Sequence, residues 1–504
     1  SNHKTYRIMK KLSFSCLFAL LVTVFALTGC NKSSDLNSYA SADDVIVVSG
    51  NAAEVLNNAG CKATGEGIEL SESLQRISGM LYSISGVDIK KAENLPGVDY
   101  EHFIISIRDE ESAVMAFNLT NQDAFVSYLE KPENGFKSSN DGGYTVFVAD
   151  QLKSLFVKDN VAFMFFSSVY GEATAANLDA YLKKSAENPL TGWQKDALAG
   201  DKGVNAIINF NKYFQIFGEI TQFDISNFNF PPFTADFEKL KDGFGKYTLS
   251  LDGTKCKVEY AMLDKDGKPL KLDFKCPNVD ASLLRYTTAD DLAVAIFAIP
   301  ENIDWDNLIR GMLEMADEPM PDNDELLKSF TDVMKSINGS VMLAGGPTDI
   351  TAFGSFKGWH IVLAAQMKEG DAEKYVSMLH QQLAQYPAEY LGELTLSNGV
   401  LTLQNPMIGK LTANADGNNF VLMLGETRAK GVCAIEAKDF AGASAGGVIN
   451  VPKDNLFSSL IRLPFGVNLT SMSYNDKPSL TTIEETDATG LFLDNIIKLA
   501  AGQY

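Results

Sequence analysis

Internal repetition constrains this fold more than any single motif, because a unit written twice must bury its apolar faces by the same solution twice. Ser41-Ala42-Asp43-Asp44-Val45 returns as Thr288-Ala289-Asp290-Asp291-Leu292, each time opening an apolar run. Val114 to Leu119, followed by Asp123 to Leu129, returns as Ile361 to Gln366, followed by Asp371 to Leu379. Lys202 to Ile207 returns as Lys430 to Ile435. Three matches in one order imply two homologous halves, joined near Asp280 to Thr287.

Within each half the apolar period switches between two and 3.6 residues, which mixes strand with helix. His102 to Ile107 and Ala113 to Leu119 read as a hairpin around the charged tip Arg108-Asp109-Glu110-Glu111. Asn121 reads as a helix cap, with Ala124, Phe125, Tyr128 and Leu129 on one helical face. Strands follow at Tyr144 to Val148 and Val161 to Phe166. Sequential hairpins imply an α+β fold in which each half is a mainly antiparallel sheet with helices packed on it, on one side. The boundaries drawn are 1–29 for a signal with upstream residues, 30–42 for a tether, 43–285 for the first half and 286–504 for the second.

Met9-Lys10-Lys11 precedes an apolar run, Leu12 to Leu27, that is short for a permanent span and has the form of a secretory signal. The run ends in Leu27-Thr28-Gly29-Cys30, which resembles the lipobox of bacterial lipoproteins. The resemblance implies acylation of Cys30 and a membrane anchor there. Asn31 after the cysteine implies, by the same resemblance, release from the inner membrane to the outer membrane, with the periplasmic or surface face left open. Asn31 to Ser38 is too polar to order itself and reads as the tether.

The whole chain carries a formal charge of −21, and the first twenty-nine residues hold four basic and no acidic side chains, so the remainder stands at −25. Such a balance disfavours nucleic acid and anionic lipid headgroups as partners, because binding either requires a basic surface. No other apolar run approaches spanning length, which leaves the acyl anchor as the expected membrane attachment.

Chemical motifs are weak throughout. No cofactor or metal is expected, because the cysteines and histidines form no ligand spacing. Gly442-Ala443-Ser444-Ala445-Gly446 matches a nucleophile elbow on paper, but no histidine follows the serine to act as base. The acidic stretch Glu301 to Glu325 reads as helix starts and a solvated face. Lys265-Asp266-Gly267-Lys268 supplies turn chemistry between two alternating runs, so Cys256 is expected opposite Cys276 as a candidate cross-strand disulfide. Leu469 to Tyr474 and Ser479 to Glu484 read as the counterpart of that hairpin in the other half.

Two segments stand out as candidate contact surfaces. The aromatic run from Phe210 to Phe237 includes Phe228, Phe230 and Phe233 around Pro231-Pro232, and reads either as an exposed patch or as a satellite core. The other arises where the short tip Arg108 to Glu111 is replaced by Gly345 to Trp359, with Phe353, Phe356 and Trp359 read either as available to a ligand or partner or as folded back into a plug.

The lipobox, the polar tether, the Ser41 to Val45 opening and the two-half layout together resemble a family of uncharacterised envelope lipoproteins of Bacteroides-type bacteria. That resemblance carries no catalytic residue. The expected function is a non-enzymatic envelope lipoprotein that binds a partner protein or extracellular ligand. A carboxylate-based hydrolase of polysaccharide and a structural envelope assembly component are the alternatives.

Overall fold

The computed structural model describes residues 35–85, 88–148, 155–167, 173–200, 203–221, 234–289, 291–301, 303–315, 324–425 and 435–503. Cys30, Cys433 and the trio Phe228, Phe230 and Phe233 lie outside the described residues. The chain divides into two compact units. The first holds the described residues up to 221, Phe237–Lys271 and those from Thr489 onward, and the second holds Leu272–Ala488 with 234–236.

The described strands of the first unit's main sheet are β1 (Ile46–Gly50), β2 (Val98–Ile107), β3 (Ser112–Leu119), β4 (Lys137–Asp141), β5 (Tyr144–Val148), β6 (Leu155–Lys158), β7 (Val161–Ser167), β8 (Val204–Asn209), β9 (Phe244–Asp252) and β10 (Lys255–Leu263). Their order across the sheet is β4-β5-β6-β7-β3-β2-β1-β8-β9-β10, antiparallel throughout. A two-stranded ribbon, Lys62–Thr64 with Gly67–Glu69, stands apart from it.

Both faces of this sheet are covered, where the sequence suggested helices on one side. Phe103, Ile105, Met115, Phe117, Phe147 and Met164 face one core with Leu56 of the helix Ala52–Asn58. Ile104, Val114, Ala116, Val146, Phe163 and Phe165 face another with Leu178 and Tyr181 of the helix Ala175–Glu187. Alternate residues of β3 thus serve different cores, and a strand buried on both faces reads as one continuous apolar run. The helix Gln122–Leu129 begins as its cap residue indicates, with the Ala124 N–H donating to Asn121 Oδ1 at 3.0 Å and Phe125 and Leu129 buried.

The helix Phe492–Ala500 belongs to the first unit although it ends the sequence. Its Phe492 N–H donates to the Gly253 carbonyl at 2.8 Å and its Leu493 N–H to Asn58 Oδ1 at 2.8 Å. Leu493 and Ile497 pack on the core of the first unit, so the compact units divide elsewhere than at the repeat boundary of 285/286.

The hairpin expected around Lys265 to Lys268 forms only its turn. The Asp264 N–H donates to the Lys268 carbonyl and the Leu270 N–H to the Met262 carbonyl, after which the chain leaves β10. The partner of β10 is β9, which places Cys256 opposite Leu251. Cys256 and Cys276 are free thiols, and no rank-by-rank pairing brings them together. The turn residues were read correctly, but the longer apolar strand Phe244–Asp252 supplies the stronger cross-strand partner.

In the second unit the described strands are β11 (Ala293–Ala298), β12 (Ile337–Pro347), β13 (Trp359–Met367), β14 (Glu393–Ser397), β15 (Val400–Asn405), β16 (Gly409–Asp416), β17 (Asn419–Leu424), β18 (Ala445–Val451), β19 (Gly466–Ser473) and β20 (Ser479–Thr486). The order is β14-β15-β16-β17-β13-β12-β11-β18-β19-β20, again antiparallel. Val294, Ile296, Met342, Ala344, Val362, Ala364 and Val448 form the larger core on one face. Val376 and Tyr375 of the helix Asp371–Leu383 cover part of the other, where Phe297, Leu343 and Ile449 stand exposed.

One defect in β2 stores a charge problem. Its register with β3 shifts between Val98 and Phe103, and Asp99 and Tyr100 in that interval are buried. Burial pushes the Asp99 carboxyl up to about 6, partly opposed by the Glu101 N–H it accepts at 3.1 Å.

Two outcomes are expected. Phe492→Ala should destabilise the first unit by about 3 kcal/mol in denaturant titration, because it empties a buried site. For Asp99, a folded-state value above the ordinary 3.8 means stability is complete below pH 3.8 and falls as pH rises through 6. Asp99→Asn should therefore stabilise by about 1 kcal/mol at pH 7.5, after allowing for screening, and leave thermal unfolding at pH 4 unchanged.

Candidate functional site

Strand register gathers the loops 348–358, 386–392, 406–408 and 452–465 at one end of the second unit's sheet. Ala293 pairs with Gly345, Pro347 with Trp359, Ile361 with Leu424, and Leu411 with Leu424. Asn405 pairs with Gly409, Glu393 with Gln404, and Val451 with Val467, so each of these strand ends lies on the same rim.

Among the described residues of this unit, the rim holds seven of the twelve exposed large apolar and aromatic side chains. Phe353, Phe356, Tyr386, Tyr390, Met407, Leu460 and Ile461 lie there, with Met407 78% and Phe356 62% exposed. Leu396 and Val400 are the exposed counterparts at the opposite end. The sequence singled out Phe353, Phe356 and Trp359, and the structure brings them together: Phe353 lies 6.4 Å from Trp359 between ring centroids. Phe353 also lies 6.0 Å from Phe457, which adds the short helix Leu456–Leu460 to the cluster.

Hydrogen bonds inside the rim hold these side chains outward. Loop 348–358 is closed at its base by the Thr348 N–H on the Gly358 carbonyl at 2.7 Å, and folds into two short 3₁₀ turns. Asp349 accepts from the Thr351 N–H at 2.7 Å, and Ser355 Oγ from the Lys357 N–H at 3.2 Å. Asn405 ties two loops at once. Its Nδ2 donates to the Tyr390 and Leu391 carbonyls, while its Oδ1 accepts from the Met407 and Ile408 N–H groups. Ser458 is fully buried and its hydroxyl donates to the Lys453 carbonyl, which braces the turn before the helix Leu456–Leu460. Lys357 packs against Gly409, where a Cβ would meet its side chain at 3.5 Å.

Beneath the rim lies a buried aspartate–histidine hydrogen bond. Asp291 accepts from the Thr288 N–H at 2.8 Å and approaches His360 Nδ1 at 2.7 Å. Because a carboxylate only accepts, Nδ1 carries the proton. His360 Nε2 is buried and meets no hydrogen-bond partner among the described residues. The first unit has a related arrangement. Asp44 accepts from the Ser41 N–H at 2.7 Å and from Arg108 Nε at 2.8 Å. Arg108 also donates to the Tyr181 carbonyl and Ser185 Oγ, both at 2.7 Å, with its guanidinium 3.7 Å above the Tyr181 ring. Burial holds the Tyr181 phenol well above its ordinary range.

An open cleft of about 590 Å³ lies in the first unit, lined in part by Glu66, Tyr128, Lys131 and Glu133. Both glutamates are exposed, whereas a general acid needs a carboxyl sheltered from water. Ser444 sits at the entry to β18 rather than on a strand-to-helix turn, with its hydroxyl directed to the Ser473 carbonyl. Among the described residues no group of three or more His, Cys, Asp or Glu is placed to hold a metal ion. Sequence reasoning missed Asn405, Tyr386, Tyr390 and the Leu456–Leu460 helix. The signal available was the pairing of Asn405-Pro406 with an exposed methionine between two alternating strands.

No protein-family model and no curated protein matches the sequence. Crystal form I of TP0453 is similar over 47% of this chain and 81% of that one, at 12% identity and a TM-score of 0.29. Crystal form IV of TP0453 is similar over 46% and 81%, at 9% identity and a TM-score of 0.29. Similarity this slight carries no argument about fold or function.

The Asp44 pair generates a stability expectation. Arg108→Ala strands a buried carboxylate and should cost about 3 kcal/mol in denaturant titration at neutral pH. Adding Asp44→Asn should return part of that loss, because the uncompensated charge is then gone.

Proposed function

We propose that this chain is a lipid-anchored envelope protein, acylated at Cys30, and that it acts as a non-enzymatic binding module whose contact surface is the rim of the second unit. The observation that carries this reading is the rim itself: seven exposed apolar or aromatic side chains held outward by internally bonded turns. Isolated exposed hydrophobics are ordinary, but seven gathered at one end of a sheet favour an interaction site. The resemblance of the lipobox and tether to envelope lipoproteins supports the anchor and an outer-membrane location.

The same proposal includes descent of the two units from one duplicated α+β half. Identical strand order supports it, as does the buried aspartate three residues after Ser41 and Thr288. On that basis the rim is a specialisation of the second half, since the corresponding tip of the first is the charged Arg108 to Glu111.

Metabolic labelling with a palmitate analogue tests the anchor. The wild-type protein should take up label and sediment with membranes, and Cys30→Ala should do neither. For the contact surface, a photo-crosslinking residue at Phe356 should form adducts in intact cells while the same residue at Asn398, at the opposite end of the sheet, forms few. Equal yields at the two positions would sink the assignment of the rim.

A further inference from the structure

We infer that the occupant of this rim is the surface of a lipid bilayer, into whose interfacial layer the loop tips insert. The inference rests on the reading of the rim as a contact surface and adds the chemical nature of what it touches.

Polar groups supply the first argument. A sugar or other polar ligand is held by side-chain donors and acceptors converging on it. On this rim, Asp349 accepts from Thr351, Ser355 from the Lys357 N–H, Asn405 bonds four backbone groups, and Ser458 donates to Lys453. These bonds fix the loops, on which Phe353, Phe356, Met407, Leu460 and Ile461 stand exposed beside charged side chains such as Lys357 and Lys453. Tips of that composition gain free energy by entering an apolar medium and offer little to a hydrated one.

Composition around the tips supplies the second. Tyr386 and Tyr390 stand on one flank, Trp359 lies at the root of the loop, and Lys357, Lys453 and Arg462 lie among the apolar residues. Tyrosine, tryptophan and long cationic side chains are the residues that settle at the level of lipid headgroups, below which aliphatic and phenyl groups are buried.

Charge supplies the third. The chain as a whole carries 64 acidic against 43 basic residues, yet the rim loops 348–358, 386–392, 406–408 and 452–465 together carry three basic residues against Asp349, Glu389 and Asp454. The apolar tips therefore stand where the acidic excess of the chain is locally cancelled. Because the rim has little net charge, insertion depends on apolar burial and proceeds on zwitterionic lipid. An acyl anchor, as proposed for Cys30, also makes the bilayer the partner present at highest effective concentration.

The test uses the full acylated protein reconstituted in vesicles of zwitterionic phospholipid, with a fluorescent amino acid at Met407 and, separately, at Asn398. Lipids brominated along the acyl chain should quench the Met407 probe and leave the Asn398 probe bright. Phe353→Ser and Phe356→Ser should each lower the ratio of inserted to free rim about tenfold, with circular dichroism unchanged. Equal quenching at 407 and 398, or quenching insensitive to both substitutions, overturns the inference. If quenching is absent while the Phe356 crosslinker still captures a protein in cells, the lipid occupant is wrong and the contact surface stands. Failure of both experiments removes the contact surface as well.

Discussion

A buried aspartate at the threshold of the first strand is the constraint on which each unit is organised. A carboxylate removed from water must be matched by donors, and the donors it recruits fix the local chain. Asp44 and Asp291 each take the backbone N–H of the residue three positions earlier, which forces the turn that aims β1 and β11 into the middle of their sheets. Each also takes a side-chain donor from the neighbouring hairpin, Arg108 or His360, so the strand order around β1 and β11 is tied to a buried polar contact as well as to apolar pairing.

The donor that meets the aspartate differs between the units. In the first unit the Val45 N–H donates to Ile107, immediately before Arg108; in the second the Leu292 N–H donates to Gly345, immediately before Gly346. Under the proposed equivalence, Gly346 stands in the place of Arg108, and the partner of Asp291 has moved across the hairpin to His360, opposite Gly346 in register. An arginine in the tip requires a tip of fixed length and path. On that equivalence, a partner on β13 would free the segment between the strands from that duty, and in this unit the segment is the aromatic loop 348–358. The loop then has to satisfy its own backbone, which the Thr348 to Gly358 closure and the Asp349 and Ser355 caps accomplish.

Much of the architecture was legible in the sequence because it rests on local signals. The β2–β3 hairpin, the Asn121 cap and the strands near Tyr144 and Val161 follow from period and capping chemistry, and they stand where those rules put them. What sequence reasoning mistook involves non-local competition. The turn at Lys265 to Lys268 is real, but a turn does not choose the strand partner; β10 goes to β9, and Cys256 and Cys276 go unpaired. The two-sided burial of β3 was equally hard to see, since a doubly buried strand and a buried helix segment share one apolar signature. At the rim, Phe353, Phe356 and Trp359 were legible as an enlarged loop between repeated strands. Asn405 and Phe457 were not, because only the folded register brings four separate loops to one end.

The acidic excess and the apolar rim act together. Like-charged bodies repel one another, which opposes association between copies of an acidic chain. The same charge would repel the body from anionic lipid, so any adhesion must come from a patch where the excess is locally cancelled and apolar groups are outermost. Loops 348–358 and 452–465 meet both conditions, and they do so at loop tips, where a ring can enter a surface without opening the sheet below it. The buried Asp291–His360 contact lies at the root of this rim, where water does not reach it.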